Sequence, residues 1–452
     1  MSWPGFSVSG WRGENARGHP FSSPGCRWRH DEPGTGRKAV RQRGKTMLLK
    51  TYFDALELHR DDKFVSLRFL RPFRVISTSP ANGGVVDDLA VVFNHQCCEP
   101  AGHQMEQLMR AHRRPLLYNA YLLADHGLAG RTAAGLGTAA NMNNLCIAEE
   151  RSRELHVVAF ATGGVEGNAA RAGDPASYYE YDGRFERKGP VGPDTPGTIN
   201  VMVAVNTPMT EGALVRAVMT ATEAKTSLLQ ELSVPSRQSA SIATGTGTDQ
   251  IAVMAPADGA PPLTSAGHHS VLGEMIGNAV YCAIKDTLAL QNGLTPIRQC
   301  SCGHLLERFG VAPDALVEQV AGRLPEGAAA LARRNRHALD RDPLTVAATA
   351  ALIHLHDQVS WGVLPETCWE ELATRHGAQI AVAVAGRPDR YADYGVLLAD
   401  DDSRRGRTSP VPTVVSALSL GFADKWESTL DRLAGVIAAV EETGEAACHD
   451  QA

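Results

Sequence analysis

The sequence of 452 residues lacks the features that identify several classes of protein. No window approaches the ~18–20 consecutive apolar residues of a membrane-spanning helix, and the N-terminus has no apolar core of a secretory signal. The nine cysteines are odd in number and irregular in spacing, which is typical of reduced thiols rather than of a disulfide framework. These absences predict a cytoplasmic protein with no membrane partner.

Familiar catalytic and metal-binding spacings are also missing. The sequence has no Gly-Lys-Ser/Thr of a P-loop, no G-x-S-x-G and no H-E-x-x-H. Cys300, Cys302 and His304 lie close together, but their spacing is not one that structural zinc sites use. His354 and His356 are two residues apart and would face different sides of a helix. We therefore predict no metal site.

Charge is distributed unevenly along the chain. In total, 44 basic and 50 acidic side chains give a net charge of −6. Residues 1–46 contain nine Lys or Arg and three acidic residues, a charge of +6, so the rest of the chain carries −12. An acidic body with a basic leader is not typical of nucleic-acid binders, whose basic groups cluster on the folded domain. We predict no nucleic-acid partner, while the composition is compatible with a homo-oligomer.

The composition changes twice along the chain, whose length allows two or three domains. Residues 1–46 are rich in Gly, Pro, Ser and Arg, which predicts a disordered basic leader. Met47 follows directly, so either Met47 is the native start or the leader is a flexible tail. Predicted strands and helices alternate over residues 47–296, the expected catalytic domain, whereas residues 297–452 predict a mostly helical extension of unknown role.

Apolar runs bounded by turn residues predict the individual elements. In the first region, strands are predicted at Val85–Phe93, Leu155–Thr162, Thr198–Asn206 and Gln250–Ala255. Helices are predicted there at Thr210–Leu232, with Thr210 as N-cap, and at Ser270–Gln291, with Gly293 as C-terminal stop. The extension predicts helices at Ala328–Ala338, Leu344–Leu355 and Ala423–Thr443 and a strand at Ile380–Ala385. Surface loops are predicted at Pro175–Pro196 and Asp400–Pro412.

A lysine interrupts the apolar stripe of the first predicted helix. Lys225 falls between Ala221 and Leu228 on that stripe. Burial would lower the pKa of the lysine and make it a usable base; alternatively, its stem packs while its ammonium reaches solvent. Glu223 lies two residues away and should face another direction, where a surface salt bridge is the simplest role.

A Gly/Thr-rich loop, Ala243–Asp249 with the sequence ATGTGTD, follows that helix. Its glycines would let the backbone approach a ligand, and successive N–H groups can hold an anion or form an oxyanion hole. A tight structural turn is the equally weighted alternative. Three further motifs have structural explanations as a hairpin turn, a Gly-rich connector and a helix-capping histidine: Asn82-Gly83-Gly84, Gly163–Asp174 and His268-His269.

Several of these blocks, taken in order, resemble the CbiZ-type adenosylcobinamide amidohydrolases over about residues 60–295. The blocks that carry the resemblance are SPANGG (Ser79–Gly84), TAA (Thr132–Ala134), Thr162–Asp174, GTIN (Gly197–Asn200), ATEAKT (Ala221–Thr226), TGTGTD (Thr244–Asp249), GHH (Gly267–His269) and LGE (Leu272–Glu274). Since several blocks agree in order, the resemblance is more specific than any single motif. It covers neither the leader nor the extension.

The resemblance implies corrinoid salvage. Such enzymes hydrolyse the amide that joins the corrin propionyl side chain to aminopropanol in adenosylcobinamide, releasing adenosylcobyric acid without ATP. The corrinoid is then the substrate, and no cofactor is expected. The segment that runs from GTINVMVAVNTP to the next strand also resembles, more faintly, the DmpA-type aminopeptidases. These are N-terminal-nucleophile-like amidases. This resemblance implies an α/β fold with sheets covered by helices in αββα layers, although no clear self-cleavage site is visible.

These implications give a hypothesis for the site. The Gly245–Thr248 loop would supply oxyanion or hydroxyl donors, Lys225 or Glu223 the base, and His269 or Asp249 a proton relay, with either water or a threonine as nucleophile. The predicted catalytic residues are Glu223, Lys225, Asp249, His269, Thr246 and Thr248. The predicted substrate-binding residues are Asn82, Gly83, Gly84, Asn168, Thr244, Gly245 and Gly247. The alternatives are a non-catalytic corrinoid-binding module and a peptidase-like amidase acting on short peptides.

Overall fold

The computed structural model describes residues 46–97, 114–182, 184–188, 197–312, 314–404 and 408–426. The predicted leader, apart from Thr46, and the end of the predicted helix Ala423–Thr443 lie outside these residues. Among the described residues, no helix is long and apolar enough to cross a membrane.

Two sheets organise the first part of the chain. The strands are β1 (Met47–Tyr52), β2 (Leu56–Asp61), β3 (Phe64–Phe69), β4 (Phe73–Ser77), β5 (Gly84–Val86), β6 (Val91–Gln96), β7 (Ala133–Thr138), β8 (Cys146–Ser152), β9 (Leu155–Gly164), β10 (Ala169–Ala170), β11 (Tyr178–Tyr181), β12 (Arg184–Arg187), β13 (Thr198–Val205), β14 (Gly245–Thr246) and β15 (Gln250–Pro256). The first sheet has the order β1-β2-β3-β6-β7 and the second β5-β4-β15-β13-β9-β8. Two short pairs, β10–β14 and β11–β12, lie outside them.

Helices cover both sheets and make up the extension. They are α1 (Pro115–Asp125), α2 (Glu211–Glu231), α3 (Val271–Asn292), α4 (Pro296–Gln299), α5 (Cys302–Leu306), α6 (Ala315–Ala321), α7 (Glu326–Arg334), α8 (Arg336–Asp340), α9 (Pro343–Ser360), α10 (Trp369–Ala385) and α11 (Tyr391–Ala399). Residues 411–426 are also helical.

Strand alternation builds four layers. In β13, Val201 and Val203 pack with α2 and α3 in one core, whereas Met202 and Ala204 pack against the first sheet in another. The outer face of the first sheet buries Phe93 against α1. Because successive strand residues point to opposite faces, the near-continuous apolar run of β13 fills both cores at once. The predicted αββα layering is confirmed.

The two long helices begin and end where their capping residues predict. The Thr210 hydroxyl accepts a hydrogen bond from the Ala213 N–H and caps α2. Gly293 ends α3 with a φ of 63°, a left-handed conformation that glycine adopts without strain. α2 connects β13 with the segment that leads to β15, and α3 leads from β15 to the extension.

The extension is helical, as predicted, but two of its elements were misjudged. Ile380–Ala385 is not a strand: it forms the end of α10, because Ile380, Ala381 and Val384 bury one helical face. The last helix begins at residue 411 rather than near Ala423. Pro412 falls in its first turn, where a missing N–H costs nothing, so this proline starts a helix instead of ending a loop.

Two predictions in the first region need smaller corrections. The predicted strand Val85–Phe93 is divided into β5 and β6, because Asp87 and Asp88 turn the chain between them. The predicted loop Pro175–Pro196 contains the exposed β11–β12 hairpin, which carries three exposed tyrosines. Residues 189–196 of that loop lie outside the described residues.

Replacing Thr210 with alanine should lower the free energy of unfolding by about 1 kcal/mol, because it removes the cap of α2. Thr295→Ala is the matched control: Thr295 also occupies an N-cap position, before α4, but its side chain makes no capping hydrogen bond. Urea denaturation measures both. Equal losses would contradict the capping role of Thr210.

Candidate active site at one end of the sheets

The space between the two sheets is apolar along most of its length but polar at one end. In three strands the apolar residues that face the other sheet are followed, on the same face and two residues away, by a polar side chain that is completely buried. These polar residues are Asn94, next to Val92; Thr162, next to Phe160; and Asn200, next to Met202. The buried polar residues at this end of the two sheets, which we call the polar layer, are Ser77, Asn94, Gln96, Thr138, Thr162, Thr198 and Asn200. Polar side chains cost free energy inside a core, so their alignment across both sheets indicates a functional end.

Hydrogen bonds across the polar layer leave one amide oxygen unused. The Asn200 amide group donates to Asn94 Oδ1 at 2.9 Å and to the Gly137 carbonyl at 3.0 Å, and Asn94 donates to Thr162 Oγ1 at 2.8 Å. Because two acceptors face the same end of the Asn200 side chain, its orientation is fixed. Asn200 Oδ1 is buried and has no hydrogen-bond partner among the described residues, and neither has Ser77 Oγ. Buried polar atoms without a partner are uncommon in native proteins, so these two mark a place where a further polar group is expected.

His95, the neighbour of Asn94 in β6, does not belong to the polar layer. Its ring nitrogen lies 3.3 Å from the Tyr118 hydroxyl of α1, on the opposite face of the first sheet. Burial lowers the pKa of His95 to about 3, with His126 and Lys63 adding to the effect. This imidazole is therefore neutral at pH 7 and directed away from the space between the sheets.

An ion pair lies beside the polar layer, where β15 begins. Lys225 of α2 donates to Asp249 Oδ2, and the two side chains are only 13% and 14% exposed. The Asp249 carboxylate also accepts from the Ile199 N–H at 2.9 Å, from the Thr246 N–H at 3.0 Å and from the Thr246 hydroxyl at 2.5 Å. Lys225 is thus neither solvent-directed nor unpaired. Its amino group is held beside the Asp249 carboxylate in a fixed position.

Gly245 provides the room for this ion pair. A Cβ atom on Gly245 would lie 2.5 Å from Asp249 Oδ2 and 2.9 Å from Lys225 Nζ. A Cβ on Gly247 would meet no atom within 4 Å. Gly245 is therefore needed for space, which neither the oxyanion-hole interpretation nor the tight-turn interpretation anticipated.

Two threonine hydroxyls connect the ion pair with the polar layer. Thr198 Oγ1, at the start of β13, and Thr248 Oγ1 are 2.7 Å apart, and each lies 2.7 Å from the Gly197 carbonyl oxygen. Asn168 donates to Thr248 Oγ1 at 3.2 Å. Its other amide atom, Oδ1, is buried without a described partner, close to Gly197. Thr248 is exposed, so this is where the polar end meets solvent.

The other predicted site residues fall into two places. Asn82 and Gly83 lie in the turn between β4 and β5, Gly84 begins β5, and Asn82 donates to the Ala133 carbonyl. Ala133 precedes Gly137 by four strand residues, so this contact is roughly 13 Å along β7 from the Asn200 contact. Thr244 accepts from the Ala172 N–H at 2.9 Å and thereby ties the Gly/Thr loop to the Gly163–Asp174 connector.

Glu223, His268 and His269 are not brought to the ion pair. Glu223 Oε2 lies 2.5 Å from His268 Nε2 in an exposed pair, 46% and 55% accessible, and His269 is exposed before α3. Glu223 and Lys225 thus contact different neighbours, as a spacing of two residues on a helix predicts.

Two clefts lie at the other end of the sheets, where β13 and β15 finish. One, of about 320 Å³, includes Tyr52, His156 and Asn206 in its lining; the other, of about 600 Å³, includes Arg74, Thr210 and Asp258. Neither contains a residue of the polar layer or of the Lys225–Asp249 pair. We place the candidate site at the polar end because the unpartnered amide atoms and the largely buried Lys225–Asp249 ion pair are there.

Comparison with known proteins identifies the family. The sequence profile of CbiZ, adenosylcobinamide amidohydrolase, matches residues 49–296, which is more than half of the chain. This protein belongs to the adenosylcobinamide amidohydrolase family. The family is one of hydrolases, and the matched residues contain both sheets, α1–α3 and the whole polar layer.

Individual relatives add the following. An uncharacterised protein of Methanocaldococcus jannaschii is 39% identical over 180 residues, which are 39% of this chain and 70% of that protein. A Burkholderia sp. β-aminopeptidase gives a TM-score of 0.26 at 9% identity, covering 54% of this chain and 82% of its own. The Ochrobactrum anthropi L-aminopeptidase D-Ala-esterase/amidase, described as a variant of the Ntn hydrolase fold, gives 0.24 at 12% identity with the same coverage. With such low scores, our description of the fold rests on the observed layers.

No residue of the polar layer, including Asn94, Thr162, Thr198 and Asn200, is among the site residues that the sequence predicts. For Thr198 and Asn200, the sequence signal that could have identified them is the alternation of faces along the strand β13. In TINVMVAV, Thr198 and Asn200 occupy the same face as Met202 and Ala204, so a polar start precedes an apolar continuation on one face. This alternation was masked because the other face of the strand is apolar throughout.

Gly245→Ala should disrupt the Lys225–Asp249 pair, because the added methyl group would occupy the space of both charged groups. We expect a loss of about 1–3 kcal/mol in the free energy of unfolding and a fall in catalytic activity. The control is Gly247→Ala, two residues away in the same loop, which has open space for its methyl group. Similar behaviour of the two variants would show that the ion pair does not depend on Gly245.

Proposed function

We propose that this protein hydrolyses the amide bond between the corrin propionyl side chain and aminopropanol in adenosylcobinamide, giving adenosylcobyric acid for cobalamin salvage. The observation that carries the proposal is the family match over residues 49–296. The corrinoid is the substrate in this proposal, and the reaction uses no dissociable cofactor and no ATP. The buried ion pair and the unused amide atoms at one end of the matched region support an amide-cleaving site there.

Amide hydrolysis requires a nucleophile, stabilisation of the oxyanion and a proton for the departing amine. Lys225 is suited to the third task, since its ammonium is held in place by Asp249 and can protonate the aminopropanol nitrogen. The exposed Gly/Thr loop beside it, with Thr246 and Thr248, offers hydroxyl and backbone donors for the oxyanion. Asp249 accepts the proton that the nucleophile loses and passes it to Lys225, which restores the ammonium, so the proton given to the amine is replaced by the one released from the nucleophile.

The nucleophile is either a water molecule or a threonine hydroxyl. Thr198 and Thr248 are the threonines whose hydroxyls meet at the mouth of the polar layer. Attack by a threonine forms an ester with the corrin propionyl group, which water then hydrolyses. Mass spectrometry of the enzyme after rapid quenching distinguishes the two routes, because only the threonine route adds the mass of the corrinoid acyl group.

The corrin ring is rimmed with amide groups, and the site offers matching amide partners. Asn200 Oδ1 and Asn168 Oδ1 are acceptors without described partners, so each can receive a substrate N–H. Asn82, Gly83 and Gly84 lie farther along β7, where they could contact a more distant part of so large a substrate. In this proposal the reacting amide binds at the mouth of the polar layer and the corrin ring on the surface around it.

The full chain incubated with adenosylcobinamide should release adenosylcobyric acid and aminopropanol in equal amounts, measured by chromatography. Binding of adenosylcobinamide without products would instead support the non-catalytic corrinoid-binding module. Cleavage of short peptides in place of adenosylcobinamide would support the peptidase-like amidase. Either result overturns the proposed reaction.

Lys225→Met and Asp249→Asn should each lower kcat for adenosylcobinamide by about 10²-fold or more, the range expected for loss of a positioned proton donor. Lys285→Met is the matched control, because Lys285 is an exposed lysine on α3. Glu223→Gln and His269→Gln test the other assignment from the sequence. If these two variants lose activity while Lys225→Met keeps it, the catalytic group lies on the exposed helix surface instead.

A further inference from the structure

We propose that the helical extension, residues 297–426, positions the Gly163–Asp174 connector beside the candidate site, and that Arg237 carries one of the contacts by which it does so. The inference rests on the proposed function for its kinetic consequences. It concerns the part of the chain beyond the family match, to which no role has been assigned.

The connector lies directly against the Gly/Thr loop. Its short strand β10 pairs with β14, with Ala169 opposite Thr246 and Ala170 opposite Gly245. Asn168, which precedes β10, reaches Thr248 at 3.2 Å. The position of the connector therefore decides where the unpartnered Asn168 Oδ1 is presented to a substrate.

Arg237 holds the connector from two sides. Its backbone N–H donates to the Ala169 carbonyl at 2.8 Å, and its side-chain Nε donates to the Glu166 carbonyl at 2.9 Å. These bonds bracket Asn168, so Arg237 fixes the backbone on both sides of that side chain. Both acceptors are main-chain carbonyls, which makes the contact sensitive to the path of the chain.

The extension supplies the charge that orients Arg237. Glu307, in the short 3₁₀ turn after α5, places Oε2 at 3.9 Å from Arg237 Nη1. A hydrogen bond from His304, with Arg237 and Arg298 nearby, holds the pKa of the Glu307 carboxyl below its usual value. Glu307 therefore remains ionised at neutral pH and attracts the guanidinium of Arg237.

A buried ion pair anchors this turn to the body of the extension. Arg308 donates to both carboxylate oxygens of Asp357 in α9, at 2.9 and 2.6 Å, and these side chains are only 6% and 7% exposed. Arg308 also donates to the Ala240 carbonyl at 2.7 Å. Burial raises the pKa of the Asp357 carboxyl, but the adjacent His356 ring and the two hydrogen bonds from Arg308 lower it further, so the net shift is downward. The extension thus also holds the segment that leads into the Gly/Thr loop.

Two more residues of the extension, Gln299 and Arg298, donate hydrogen bonds to the amidohydrolase region. Gln299 donates to the Leu232 carbonyl at 2.7 Å, and Arg298 donates to the Asn292 carbonyl at 2.6 Å while its other nitrogen lies 3.4 Å from the Glu166 carboxylate. These contacts reach the ends of α2 and α3 and the connector, all at the polar end. Ordering a loop before the substrate arrives lowers the entropy cost of binding. We therefore expect the extension to act on KM.

Arg237→Met removes the bond to Glu166 and the attraction to Glu307, while the backbone bond to Ala169 remains available. Arg237 is 36% exposed, so the protein should still fold. KM for adenosylcobinamide should rise about fivefold, which corresponds to one hydrogen bond of about 1 kcal/mol, with kcat within twofold of the parent. Backbone hydrogen exchange should become faster in residues 163–174 and stay unchanged in β9 and β13.

The control is Arg333→Met, since Arg333 forms an exposed ion pair with Glu318 entirely within the extension. It should change neither KM nor exchange in the connector. Unchanged KM and exchange in Arg237→Met, faster exchange throughout the protein, a fall in kcat alone, or equal effects of both variants would each overturn the positioning role. If the parent does not cleave adenosylcobinamide, the proposed function fails, and the exchange measurement still decides whether Arg237 orders the connector.

Discussion

The candidate site depends on the carboxylate of Asp249. This group joins α2 through Lys225, β13 through the Ile199 N–H and the Gly/Thr loop through Thr246. A buried carboxylate requires that its lone pairs be satisfied, and here each partner comes from a different piece of chain. The relative positions of helix, strand and loop are therefore determined together, and Gly245 is the position that allows them to come so close.

The contact between the two sheets is apolar over most of its length and polar at the candidate site. Over most of their contact, the two sheets are joined by apolar residues such as Phe160 and Met202. At one end, hydrogen bonds among Asn94, Thr162 and Asn200 replace apolar contacts across the two sheets. One acceptor of this network is left unused, which disfavours the unliganded protein and favours a bound N–H group. The network is thus compatible with binding an amide.

Much of the fold was predictable because local signals agreed with the tertiary structure. Thr210 and Gly293 are capping residues whose chemistry fixes a helix end whatever surrounds it. The prediction of a strand at Ile380–Ala385 was wrong because the local signal there is ambiguous. A short run of Ile, Val and Ala is compatible with a strand or with a buried helix face. Only its packing against the rest of the extension selects the helix.

The site was predictable in part. Motif blocks led to Lys225 and Asp249 separately, but their pairing brings together residues that are 24 positions apart, and no local pattern encodes such a contact. Asn94 and Asn200 meet across two different sheets, 106 positions apart. Their roles emerge only when the register of both sheets is known, whereas the turn around Asn82 could be anticipated from its own sequence.

The parallel pairing of β13 with β15 has a consequence for how the site forms. The start of β13 and the start of β15 are adjacent in space, but α2 and the Gly/Thr loop separate them in the sequence. Such non-local pairings are slow to form because loop closure precedes the contacts that stabilise them. During synthesis, the ion pair and the mouth of the polar layer are incomplete until residue 249 has been added. Nascent chains that end before this residue therefore lack the assembled site.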